Sequence, residues 1–268
     1  MLELIQITSD PAFARRCDAL GGFRLFVDLE RLGKAERQAG RDTFISKHQP
    51  GDIARVKQVL RRSRLMVRVN PLHAGSAAEL EAVLAQGPDC VMLPMFSGAA
   101  DVQAFARLLA GRAPLVALLE TRGALDSVEE WSTTEGLQEI FVGLNDLHLS
   151  LGQRFMFEAL AEGLVDRVAE VARRRGLRFG FGGIARIAEG LLPGRDVLAE
   201  HLRLGSGAVI LSRTFHRLDS EALFEQEVAA LRQAETELRQ RTPAQVEADR
   251  QRIAATIRRV AAERPARA

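Results

Sequence analysis

Two cysteines are all that the 268 residues contain, and no CxxC pair is among them. That excludes a disulfide framework and a cysteine-based metal knuckle. Cys17 and Cys90 read instead as small buried apolar residues. Aromatic residues make up only 5%, and 37 basic residues nearly balance 35 acidic ones, leaving a formal charge of +2. No Lys/Arg stripe with interleaved aromatics appears, so a nucleic-acid surface is not expected. Long hydrophobic runs are also missing: nothing approaches the roughly 18 apolar residues of a membrane span. The opening MLELIQITSDP has neither a basic segment nor a long apolar core, so no leader peptide is read there. A reducing cytoplasm is the expected compartment.

What is present is a recurring alternation. Short apolar runs appear at LELIQI (2–7), RLFVDL (24–29), RLMVRV (64–69), CVMLP (90–94), LVALLE (115–120), EIFVGL (139–144), LRFGFG (177–182) and AVILS (208–212). They are nearly continuous in apolar residues, as strands covered on both faces should be. Helical patterns fill the gaps. DPAFARRCDALG opens with an Asp cap and a proline at the first helical position, and ends at glycine. GDIARVKQVLRRS, SAAELEAVLAQG and SGAADVQAFARLLAG follow the same grammar. QRFMFEALAEGLVDRVAEVARRRG reads as one longer helix, closed by a run of arginines that suits the negative end of its dipole. Eight strands alternating with helices predict an α/β fold, a (β/α)8 TIM barrel. An open doubly wound sheet would want a glycine fingerprint after the first strand, and IQITSDP has none.

The barrel is expected over residues 1–218, with no composition shift to mark a second domain. Residues 219–264 form an additional C-terminal helical extension. Phe224, Val228, Leu231 and Leu238 share one helical face. Thr242-Pro243 then restarts a helix with Gln245 at the capping-box position, and Val246, Ile253, Ile257 and Val260 make a second stripe. The two stripes can pack on the chain's own barrel or on a neighbouring subunit.

Active sites of such barrels lie at the C-terminal ends of the strands. Those ends carry Asp28 and Glu30, Arg68 and Asn70, Glu120, Asp146, the glycines 180, 182 and 183, and Ser212 with Arg213. Glu120 and Asp146 follow consecutive strands, which lie about 4.8 Å apart. Two carboxylates converging there would repel each other, and a divalent cation such as Mg²⁺, which commonly takes one or two protein carboxylates, removes that conflict. The alternative is that Glu120 pairs with an arginine and Asp146 caps a helix. Arg68 is suited to a carboxylate or a developing enolate. In the polar insertion GRDTFISKHQPGD (40–52), His48 could reach the mouth; Lys34 and Arg37 before it and Lys47 within it could meet an anion. His148 could reach metal-bound water or merely sit in a helix start. FGFGGIAR (179–186) could hold a phosphate or only need tight packing.

VDLERLGKAERQ, VRVN, VMLPMF, LLETRGAL and VGLNDLHLSLG occur in an order that resembles the metal-dependent pyruvate aldolase and citrate lyase beta-subunit family, of HpcH/HpaI type, over about residues 20 to 155. The resemblance implies a (β/α)8 barrel whose appended helix is often exchanged in a homo-oligomer. It implies Mg²⁺ or Mn²⁺ on Glu120 and Asp146, Arg68 on the oxo or enolate oxygen, and Gly143, Leu144 and Asn145 around the pyruvate carboxylate. The expected reaction is cleavage of a 4-hydroxy-2-oxo acid to pyruvate and an aldehyde, with small molecules as the only substrates. The alternatives are cleavage of an acyl-CoA, and a barrel that binds a small acid without chemistry. The chain departs from the family at Glu30-Arg31, where the aldolases have Glu-His and the lyases Glu-Asp. The base is then sought among metal-bound hydroxide, His48 and Glu30.

Overall fold

The computed structural model describes residues 1–34, 46–215 and 221–265. Eight parallel strands close on one another in sequence order: β1 Glu3–Ile7, β2 Phe23–Asp28, β3 Arg64–Arg68, β4 Cys90–Leu93, β5 Leu115–Leu119, β6 Leu137–Val142, β7 Arg178–Ile184 and β8 Ala208–Leu211. All eight expected strands are present, and the (β/α)8 barrel with C-terminal helices is the observed architecture.

Helices cover the outside: α1 Pro11–Leu20, α2 Gly51–Lys57, α3 Ser76–Leu84, α4 Ala99–Leu109, α5 Arg122–Asp126, α6 Val128–Trp131, α7 Leu144–Ser150, α8 Glu158–Ala161, α9 Leu164–Arg175 and α10 Gly194–Arg203. α1 starts as its sequence dictates. Asp10 accepts a hydrogen bond from the Ala12 amide at 2.9 Å, and Gly21 closes the helix at φ 75°. The single long helix expected before β7 is instead two, α8 and α9, because Gly163 adopts φ 74° between them. That left-handed conformation ends one helix and redirects the chain.

Alternation along each strand fixes which side chains enter the barrel. Ile5, Phe26, Met66, Cys90, Met92, Val116, Leu118, Phe141 and Ala208 form an apolar cluster separate from the larger core between strands and helices. Two residues back along the same inward rows, the lower end is charged. Arg24, fully buried, meets Glu139 at 2.8 Å, its Nε donates to Glu3 at 2.8 Å, and Arg178 meets Glu3 at 2.8 Å. Two residues forward, the rows bring Asp28, Arg68, Glu120 and Gly143 to the upper mouth. The interior is thus filled by charge below, hydrocarbon in the middle and charge above.

β8 gives way to a 3-10 turn, Arg213–Phe215, and then to α11 Glu221–Leu238 and α12 Pro243–Ala262. Phe224, Val228, Leu231 and Leu238 are buried, and Phe224 lies edge-on to Phe13 of α1 at 4.9 Å. α12 opens with the full capping box of Thr242 and Gln245 and packs on α8 and α10 of the same chain, burying Ile253, Ile257 and Val260. No helix among the described residues is long and apolar enough to cross a membrane.

Candidate active site

The mouth is organised by a register pair. Asp28 and Arg68 end neighbouring strands and face one another in the ladder. The Asp28 carboxylate accepts two parallel bonds from Arg68, from Nε at 2.9 Å and from Nη2 at 2.8 Å. Such a fork fixes the guanidinium plane. Glu30, two residues on and so on the same side of the chain, lies 3.3 Å from Arg68 Nη1. Lys34 closes the network, 2.7 Å from Asp28 and 3.3 Å from Glu30. Burial works to raise the Asp28 pKa, yet Arg68 and Lys34 hold it well below the usual carboxylate range. Burial opposes the charge on Arg68, but Asp28, Glu30 and Glu120 keep it firmly protonated.

Asp28 and Lys34 are the partners that sequence reading missed as site residues. Asp28 had a signal, since Phe26, Asp28 and Glu30 alternate onto one face. Lys34 could be read only as a loop charge open to an anion or to solvent, whereas it is buried at 2% exposure. Lys47, by contrast, is exposed. Arg37, His216 and residues 40–45 of the polar insertion lie outside the described residues.

Glu120 follows β5 and is buried. Its Oε1 accepts the Met95 amide at 3.2 Å, and its Oε2 lies against the backbone of Gly143, where an added Cβ would stand 2.7 Å away. Asp146 is half-buried in the first turn of α7, the helix that Gly143 opens. Glu120 also acts on Arg68 electrostatically, so the structure brings Glu120, Arg68, Asp28, Glu30 and Lys34 into one charged cluster.

Three neighbours have partners of their own. His48 does reach the cluster, but its Nδ1 accepts the Asp28 amide at 3.1 Å. A backbone N–H can only donate, so the imidazole lone pair is engaged there and Nε2 carries the proton. Burial also lowers the His48 pKa. His48 therefore props the end of β2 as a neutral ring and is poorly set to serve as the base. Arg31 is exposed and donates from Nη2 to the His48 carbonyl at 2.9 Å, clipping the loop to the end of β2. The Gly143 amide donates to the Leu119 carbonyl at 2.9 Å, continuing the ladder one residue past β6. The Leu144 side chain is buried, and Asn145 is exposed one residue further along α7.

The glycines 180, 182 and 183 lie inside β7, not in a loop beyond it. An added Cβ on Gly180 would stand 2.7 Å from the Phe141 ring, and one on Gly182 would stand 2.9 Å from Leu144. Packing explains both without a phosphate. His148 donates from Nδ1 to the Leu144 carbonyl at 3.1 Å within α7. Burial pushes both cysteine thiols up to about 12, as inert core residues should be.

A closed parallel barrel with a charged cluster at its C-terminal mouth defines the class. Comparison with known proteins narrows it. The model of the HpcH/HpaI aldolase/citrate lyase family matches residues 52–177, which bears out the resemblance read from the sequence where the two spans overlap. The matched span begins after Glu30-Arg31, where the departures lie. A (3S)-malyl-CoA thioesterase of Cereibacter sphaeroides is 34% identical over 97 residues, 36% of this chain and 34% of that protein. A hydroxypyruvate/pyruvate aldolase of Rhizorhabdus wittichii is 33% identical over 84 residues, 28% of this chain and 34% of that protein. The chain thus spans about a third of the length of the curated relatives it matches. Among solved structures, an HpcH/HpaI aldolase/citrate lyase family protein from Burkholderia cenocepacia superposes with a TM-score of 0.62 at 17% identity, over 89% of this chain and 95% of that one. A citrate lyase beta subunit from M. tuberculosis, complexed with oxaloacetate and magnesium, superposes with a TM-score of 0.60 at 19% identity, over 87% and 96%. At these identities the structures share the fold.

Proposed function

We propose that the chain is a divalent-metal-dependent carbon–carbon lyase that cleaves a 4-hydroxy-2-oxo acid to pyruvate, or a related 2-oxo acid, and an aldehyde. The observation that carries this reading is the placement of Glu120. It is a buried carboxylate at the barrel mouth, held between the Met95 amide and Gly143 and coupled to a firmly charged Arg68.

The residues present fit a hard cation. Among the described residues no group of three or more His, Cys, Asp or Glu side chains could hold a metal by itself. Two carboxylates, Glu120 and Asp146, are nevertheless the set that Mg²⁺ or Mn²⁺ takes when water and substrate complete the shell. Bound there, the ion would supply Lewis-acid stabilisation of an enolate. Arg68 adds fixed positive charge at the 2-oxo oxygen. Asp28 and Glu30 orient its guanidinium, which carries more N–H donors than these two acids engage. Lys34 offsets the second carboxylate, so the cluster keeps the positive charge of Arg68 available where negative charge develops. With the His48 lone pair engaged, Glu30 is the better-placed side chain to accept the 4-hydroxyl proton.

The test is proton exchange. With Mn²⁺ or Mg²⁺ in D₂O, the pyruvate methyl signal should be lost without coenzyme A. Glu120→Gln and Asp146→Asn should each slow that loss at least a hundredfold, about 2.7 kcal/mol of transition-state stabilisation. Exchange at the wild-type rate in both variants would remove the metal assignment. The similarity to a malyl-CoA thioesterase supports a second reading, cleavage of an acyl-CoA. Turnover that requires the thioester would select it. Binding of pyruvate or oxalate with metal but no exchange at any pH would select a barrel that only binds acids.

A further inference from the structure

β6 is followed by a glycine whose conformation does not demand one. Gly143 has φ −84° and ψ 83°, on the negative-φ side that L residues occupy. Space demands it instead. A Cβ on Gly143 would stand 2.7 Å from Glu120 Oε2, 3.1 Å from Glu120 Cβ and 3.1 Å from Leu118 Cδ1. The other carboxylate oxygen is claimed from the opposite side by the Met95 amide, presented by a residue held at φ 54° in the loop after β4. A non-glycine residue in the left-handed region costs backbone energy that the surrounding structure must offset. One carboxylate is therefore set by two backbones, an amide that grips Oε1 and a bare Cα that admits Oε2.

We propose that Gly143 is a positioning residue for the Glu120 carboxylate, its missing side chain permitting the orientation that faces the cation. This rests on the reading of Glu120 as a metal ligand. The closest atom that an alanine methyl would meet is the far end of a flexible side chain. Its carboxylate can therefore turn aside, with the two 3.1 Å contacts yielding by a few tenths of an ångström, and the loss falls on the metal site.

The experiment is a Mn²⁺ titration followed by electron paramagnetic resonance, on the full chain, for wild type, Gly143→Ala, Glu120→Gln and the control Gly183→Ala. Gly183 lies on β7, where a Cβ would meet only the Ile210 carbonyl at an ordinary 3.6 Å. Gly143→Ala should weaken Mn²⁺ binding at least tenfold, as Glu120→Gln does. Gly183→Ala should bind like wild type. In EDTA the melting temperature of Gly143→Ala should stay within about 3 °C of wild type. Should Gly143→Ala fail to fold, Leu118→Ala with Gly143→Ala relieves one of the 3.1 Å contacts and must show the same loss. Wild-type Mn²⁺ affinity in Gly143→Ala beside a loss in Glu120→Gln overturns the positioning role while leaving the metal reading intact. Unchanged affinity in Glu120→Gln overturns both. Failure of both glycine variants to fold also overturns it, since packing alone would then require the glycine.

Discussion

At the scale of single residues, one basic group is kept neutral by burial while Asp28 and Arg68 at the mouth stay charged. His201 is fully buried, stacked on Phe181 at 3.7 Å with 4° between the rings, and bonded through Nδ1 to Ser206 at 2.8 Å. Its Nε2 has no partner among the described residues, and burial lowers its pKa from 6.5 to about 3. The unfolded chain binds that proton near pH 6.5 and the folded chain does not until about pH 3. Stability is therefore present above pH 6.5 and lost as the pH falls from 6.5 toward 3, by a few kcal/mol at most. His201→Phe keeps the stack and removes the titration, so its urea midpoint should fall less than that of wild type between pH 7 and pH 4.5. Parallel falls in the two proteins would contradict the assignment. Asp28 works in a lower window. Its folded pKa is depressed, so its contribution is present above its unfolded value, ~4, and is lost as the pH falls further.

At the scale of elements, what the sequence made legible was what local chemistry decides. Strands covered on both faces read as apolar runs, and all eight runs lie within a few residues of the observed strand bounds. The caps of α1 and α12 read equally well, because an Asp or Thr oxygen meets an amide two or three residues on. Gly163 did not read as a break. A glycine inside an amphipathic pattern is ambiguous until its φ is known. The site was half legible for the same reason. Glu120, Asp146 and Arg68 could be placed at strand ends, but three pairings depend on chain segments brought together by the fold. These are Asp28 with Arg68, Lys34 with Asp28, and Gly143 with Glu120. Gly163 also gives a prediction at this scale. It sits at φ 74° with nothing within 4 Å of where a Cβ would stand, so alanine there costs only backbone strain. Gly163→Ala should lower unfolding free energy by about 1 kcal/mol in a denaturant titration. No change would mean that the α8–α9 junction does not need the left-handed turn.

At the scale of the whole molecule, the barrel is closed from outside by its last two helices. Leu2 of the chain's start donates its amide to Glu235 of α11 at 2.7 Å, and α12 covers α8 and α10. Each large apolar side chain so buried contributes on the order of 2 kcal/mol. Truncation before Thr242 exposes the faces that Ile253, Ile257 and Val260 cover, and should lower the melting temperature by at least ~10 °C or abolish soluble expression. A truncated chain with the melting temperature of the full one would contradict that packing. The charged mouth also belongs to this scale, since separate strand ends and loops all contribute to it.

Anomalous scattering at the manganese edge, from crystals soaked in Mn²⁺ and oxalate, tests the central assignment most directly. A single peak within bonding distance of one oxygen each of Glu120 and Asp146 is the predicted result. A mouth without density, or a peak bound only by other side chains, would contradict it.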